Sequence, residues 1–205
     1  MLARLALALG LALLLTAASP PPPLGLSGFK PFALHPGVNR IAKFSEDGRD
    51  ATIMLAWRDN GNAWGFNIYL VTLPNPNTSN PFGVVGIEKK TDAPFETITD
   101  APHTGEDYIR AVMFGRGNLD GKEQTLLLIA TRLWKDSVPE PAVTTFEIFR
   151  LADDGITGST PDYFTPVRSF TSTAKYCNAY MALFQEMKIP LPKDYSGPQN
   201  KDGCI

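Results

Sequence analysis

Histidine and cysteine are scarce, with two of each in 205 residues. His35 and His103 each sit in a proline-flanked loop, which leaves a histidine-based triad thinly supplied. Neither Cys177 nor Cys204 has the CxxC partner or nearby histidine of a zinc site. A glycine-rich loop opening a helix is missing, as is a strand-turn-helix serine elbow, so phosphate-loop and α/β-hydrolase chemistry have no foothold. Charge of one sign is lacking too: 19 Lys and Arg stand against 21 Asp and Glu, the net charge is -2, and the basic residues are scattered singly. A nucleic-acid partner is therefore not expected. Beyond residue 15 no apolar run approaches the roughly 20 residues that span a bilayer.

The first residues do carry an apolar run. Arg4 precedes Leu5 to Leu15, followed by the small residues Thr16, Ala17 and Ala18. This pattern predicts a secretory signal peptide over 1–18 and a periplasmic or secreted protein with no membrane span after leader removal. No cysteine stands at the cleavage point to take a lipid. Residues 19–28, with Pro20 to Pro23, read as a stiff spacer, and 29–205 as one domain. In an oxidising compartment an even cysteine pair suggests a disulfide, Cys177 to Cys204, with two unpaired thiols as the alternative. The bridge would tie down a tail rich in Pro, Gly, Lys and Asp, at a gain of about 3 kcal/mol in the chain-entropy model.

Between these ends the dominant period is two. Trp64, Phe66, Ile68 and Leu70 alternate with Gly65, Asn67, Tyr69 and Val71, and Ile53, Leu55 and Trp57 alternate with Thr52, Met54 and Ala56. Further strands are expected at 38–44, 84–89, 108–115, 124–132, 143–151 and 163–170, separated by turn-forming clusters. The expected class is all-β: an antiparallel β-sandwich of two stacked meander sheets with a short C-terminal α-helix. The helix is predicted over about 174–188, capped by Ser172 or Thr173 and stopped by Pro190.

A weak repeat links DGRDATIMLAWR (47–58) to DGKEQTLLLIATR (120–132), each followed by a strand of aromatic alternation. Two similar meanders, one per sheet, would explain it; chance likeness between amphipathic hairpins is the alternative. The two Asp-Gly turns place Ser45, Asp47 and Asp50, and Asn118, Asp120 and Glu123, around a glycine as calcium loops do. Asp47, Asp50, Asp120 and Glu123 are thus candidate ligands for a divalent cation such as calcium, against the plainer reading as hairpin turns that need no cofactor.

In RDNGNA (58–63), Asn60 and Gly61 suit positive φ and Asn62 can satisfy turn donors. Arg58, with a counterpart in Arg132, either pairs with a local acid such as Asp59 or presents its fork to a carboxylate ligand. Arg58, Asn60, Asn62 and Arg132 form the candidate ligand-binding set. Ser172 and Lys175 match the SxxK spacing, but no SDN or KTG accompanies them, so no enzyme activity is expected. Asn77-Thr78-Ser79 fits a glycosylation acceptor.

Several segments in order, HPGVNRI (35–41), AWRDNGNAWGFNIYLV (56–71), ATRLWKDSVPEPAVTTFEIFRL (130–151), GSTPDYF (158–164) and KYCNAYMALFQEM (175–187), resemble the carbapenem intrinsic-resistance (CarG-like) family. The likeness runs from about residue 32 to 189, with Trp64 where the family pattern has histidine and Asn178 where it has aspartate. The resemblance implies a periplasmic β-sandwich, often a homodimer, that protects against a carbapenem without hydrolysing it. Its implied partners are a β-lactam ligand or a cell-wall enzyme. The family fold is similar to periplasmic inhibitors of lysozyme, so a protein-binding inhibitor of a lysozyme-like enzyme, using loop 74–83, is the alternative.

Overall fold

Segments that alternate apolar and polar residues should form sheets with one buried face, whereas a continuous apolar run such as TLLLIA needs cover on both. The computed structural model describes residues 25–75, 79, 81–88, 95–153 and 162–205 and contains both kinds of strand. The expected leader, the spacer up to residue 24, Asn77-Thr78, part of loop 74–83 and residues 158–161 of GSTPDYF lie outside the described residues.

In chain order the elements are β1 (Leu26–Pro31), β2 (Gly37–Ile41), β3 (Ala51–Arg58), β4 (Phe66–Pro74), β5 (Phe82–Val85), β6 (Ile87–Glu88) and β7 (Phe95–Glu96). There follow β8 (Ile98–Thr99), β9 (Arg110–Leu119), β10 (Lys122–Arg132), β11 (Ala142–Asp153), β12 (Asp162–Tyr176) and α1 (Ala179–Met187). One sheet has the order β1-β9-β10-β11-β12-β6-β7, and the other the order β2-β3-β4-β5 with β8 added to β4. Each therefore contains one antiparallel meander, β9 to β12 and β2 to β5. The two copies of the repeat supply β3 in one meander and β10 in the other.

Ile53, Tyr69, Val71 and Leu73 of the smaller sheet face Phe114, Leu127, Ile129, Phe149 and Phe164 of the larger one, forming the inter-sheet core. The opposite face of the larger sheet, with Leu126, Leu128, Ala130, Phe146 and Ile148, packs against Ala179, Tyr180 and Leu183 of α1 and Phe29 of β1. Residues 124–130 of β10 are consequently all buried, which accounts for the unbroken apolar run from Leu126 to Ala130.

Three expectations need correction. The strand β1 begins at Leu26, so the last residues assigned to the spacer join the sheet beside β9. The segment 84–89 is divided, with β5 pairing in the small sheet and β6 in the large one. The helix starts five residues late, because Ser172 to Tyr176 continue β12, which after a bulge pairs with β11 again at Lys175 and Tyr176. Its cap is Asn178, not Ser172 or Thr173: the side-chain Oδ1 of Asn178 accepts from the N–H of Tyr180 at 2.9 Å and of Met181 at 3.4 Å. Among the described residues no helix is long and apolar enough to cross a membrane.

The expected disulfide Cys177–Cys204 is formed, at an S–S distance of 2.05 Å. It fastens the C-terminal tail beside the start of α1, consistent with an oxidising, extracytoplasmic environment.

Candidate functional site

The loop joining β3 to β4 turns on Gly61, whose φ is 67°. Asn60, expected to share the positive φ, does not, and its side chain acts instead. Asn60 Nδ2 donates to the carbonyl of Trp64 at 2.7 Å, Asn62 Oδ1 accepts from the N–H of Trp64 at 2.9 Å, and Asp59 Oδ1 accepts from the N–H of Gly61 at 2.7 Å. Both asparagines thus serve the loop backbone, and what they fix in place is Trp64.

Trp64 is half exposed, at 48 %, yet its ring is braced. His103 meets it edge-on at 4.9 Å between ring centroids, and Trp134 stands at 6.1 Å. The Trp57 ring, also exposed, lies so close over Gly65 that a Cβ there would stand 2.3 Å from it. His103 in turn is held in the left-handed region, with φ at 49°. Its Nδ1–H donates to Asp107 Oδ1 at 2.8 Å, where Thr104 Oγ1 also donates at 2.6 Å. Burial acts to raise the Asp107 carboxyl, but bonds from Thr104 and His103 outweigh it and hold the pKa below its ordinary value.

Beside Trp64 opens a cleft of about 260 Å³, walled by Trp64, Gly65, Phe66, Thr99, Asp100 and His103. Asp100 is 4 % exposed. Its Oδ1 accepts from the N–H of Asn67 at 2.7 Å, and its Oδ2 from Asn67 Nδ2 at 2.8 Å and the Tyr69 hydroxyl at 3.1 Å. Burial pushes its carboxyl up, and the three hydrogen bonds only partly offset that. These residues were not singled out from the sequence as a site. The available signal was Trp64 in a polar loop between two asparagines, an unusual place for a large aromatic side chain.

The candidate ligand set separates. Arg58 is exposed, and among the described residues its Nε reaches only Asn60 Oδ1, at 3.4 Å; it forms no ion pair with Asp59, whose carboxylate is engaged with Gly61. Its fork remains open to solvent. Arg132 is corrected outright as a ligand-binding residue, since it is 2 % exposed and donates to four carbonyls: Tyr176 at 2.9 Å, Asp107 at 3.1 Å, Val138 at 2.6 Å and Glu140 at 2.7 Å. It locks loops together from inside.

The Asp-Gly turns are closed by the chain's own groups. Asp47 bonds Ser45 and takes Arg49 Nε at 2.6 Å, while Asp50 accepts from the N–H of Lys43 at 2.8 Å. Asp120 pairs with Arg168 at 2.6 Å, and Asn118 accepts from the N–H of Gly121 at 2.8 Å. Glu123 is exposed. Among the described residues no three His, Cys, Asp or Glu side chains come together as a metal site. The second cavity, about 300 Å³, is lined by Asp47, Arg49, Lys122 and Asp162. Arg49 grips Asp162 there with two bonds, at 2.7 and 2.8 Å, pinning the β2–β3 loop to β12.

Ser172 and Lys175 form no nucleophile-base pair. Ser172 is buried at a bulge in β12, where its Oγ accepts from the N–H of Thr144 at 2.9 Å and donates to the carbonyl of Ala174 at 2.7 Å, while Lys175 is exposed.

No protein-family model and no curated protein matches the chain. Among solved structures it is similar to one described as the crystal structure of CarG, with a TM-score of 0.56 and 16% identity over 73% of this chain and 90% of that one. At that identity the likeness establishes a distant relation of fold.

Proposed function

We propose that the protein is an exported, non-enzymatic binding protein that protects against a β-lactam of the carbapenem type by binding or shielding rather than by hydrolysis. The observation that carries this reading is the fold shared with CarG over 90% of that chain, which coincides with the ordered motifs resembling the carbapenem intrinsic-resistance family. Local chemistry supports it. The Ser172 hydroxyl is engaged with the backbone of β11 and β12, which favours binding over acylation at that serine. The exposed Arg58 fork is of the kind that receives a carboxylate, the group every carbapenem carries. A homodimer, implied by the resemblance, would form across the outward face of the small sheet, where the register sets Val38 against Met54 and Met54 against Leu70, all three exposed.

The test is growth inhibition by a simple carbapenem in sensitive cells exporting this protein, compared with cells exporting an unrelated sandwich domain at matched level. A raised inhibitory concentration is expected, reduced by Arg58→Ala, with no loss of intact drug from cell-free medium. Equal inhibition of the two strains, with export and folding verified, overturns the reading. Protection from lysozyme in its place would identify a lysozyme-inhibitor function.

A further inference from the structure

The cleft beside Trp64 combines two features that lack the same thing. Asp100 is a carboxylate almost wholly removed from water, and the groups that bond it, the Asn67 amides and the Tyr69 hydroxyl, are all neutral. Hydrogen bonds satisfy its oxygens, but a buried charge without a counter-charge remains costly. The aromatic rings of Trp64, Phe66 and His103 stand around the same space. The faces of Trp and Phe rings carry the negative part of the ring quadrupole and attract cations within about 6 Å. Among the described residues no Lys or Arg side chain lines the cleft. His103 directs its Nδ1–H at Asp107 rather than at Asp100.

The geometry points to a binding site for an organic ammonium ion, with its alkyl groups against the Trp64 indole and its charge facing the Asp100 side of the cleft. A hard metal ion is a poor occupant, because it demands several oxygen ligands and one carboxylate already accepting three bonds cannot supply them. A wholly neutral ligand would stack on the indole but leave the Asp100 charge uncompensated. The site is also preorganised. Trp64 is held through both its backbone N–H and its carbonyl, and its ring is braced by His103 and Trp134, so little side-chain freedom remains to be lost on binding. The inference is independent of the β-lactam reading, because it concerns a different ligand charge and different residues from Arg58.

The full chain without its leader would be titrated with choline and, separately, with 3,3-dimethylbutan-1-ol, its uncharged isostere, following tryptophan fluorescence and heat at constant ionic strength. A saturable response to choline, at least about tenfold stronger than to the alcohol, is expected. Asp100→Asn, which keeps an acceptor for Asn67 while removing the charge, should weaken choline binding about fivefold or more. Trp64→Ala, a change at a half-exposed side chain, should remove saturable heat while circular dichroism stays unchanged. Equal responses to choline and the alcohol, no saturable response to choline, or full choline binding by folded Trp64→Ala would each overturn the assignment.

Discussion

Two strands of this protein end in Ala-x-Arg, and the two arginines do opposite work. Arg58 ends β3 in solvent with one long contact to Asn60. Arg132 ends β10 under the β10–β11 loop, where its donors meet the carbonyls of Tyr176, Asp107, Val138 and Glu140. The difference follows from what covers each strand end. β10 is enclosed on both faces, so its terminal side chain is drawn inward, and a guanidinium is the side chain that can satisfy several converging carbonyls at once. Replacing Arg132 by Met would keep most of the aliphatic volume and leave those carbonyls without their donor. Each orphaned group costs about 1–3 kcal/mol, offset where water enters, so Arg132→Met should destabilise the fold by about 3 kcal/mol or more. Arg58→Met should change stability by no more than about 0.5 kcal/mol. Urea unfolding of the two variants is the check, and similar losses at both sites would show that the burial assigned to Arg132 is wrong.

The helix illustrates how far a single element can be inferred from its side chains. Tyr180, Leu183, Phe184 and Met187 at helical spacing reveal that α1 exists, and Pro190 shows where it must have stopped. Its start is masked, because Ser172 and Thr173 are good caps by composition but lie within β12, at its bulge beside β11. The side chain that caps the helix, Asn178, also donates to the carbonyl of Glu106 at 2.9 Å and is fully buried. Asn178→Ala should therefore cost about 1–2 kcal/mol, toward the upper end for a cap, with a lowered thermal midpoint. A change within error would mean that the cap does not hold α1. The strands divide in the same way. Alternation exposes β3 and β4, which have one face toward the core. The edge strand β1 was hidden by its Pro and Gly neighbours, and β6 to β8, of two residues each, are too short to carry a period. The aromatic cleft was not legible for a different reason: Trp64, Asp100, His103 and Trp134 come from three separate segments, and only the folded chain brings them together.

At the scale of the whole molecule the sandwich is closed by its tail. After α1 the chain reaches back across the helix start, where the N–H of Cys177 donates to the carbonyl of Asp202 at 2.9 Å. Gly203, with φ at 69°, lies so near that a Cβ would stand 3.0 Å from the Cβ atoms of Asn178 and Met181. Tyr195 packs against the core layer between the large sheet and α1. Much of the tail is itself exposed, and the bridge between Cys177 and Cys204 adds a covalent tie to these contacts. Its loss should cost about 3 kcal/mol if the constraint acts chiefly on the unfolded chain. Cys204→Ser should therefore unfold at lower denaturant than the native chain under oxidising conditions, and should be cut faster by trypsin at Lys193 or Lys201. Added reductant should bring the native chain down to the variant and leave the variant where it was. If the native chain kept its midpoint after the bridge was shown to be broken, the non-covalent contacts alone would be holding the tail. The disulfide would then say little about the compartment in which the protein has to remain folded.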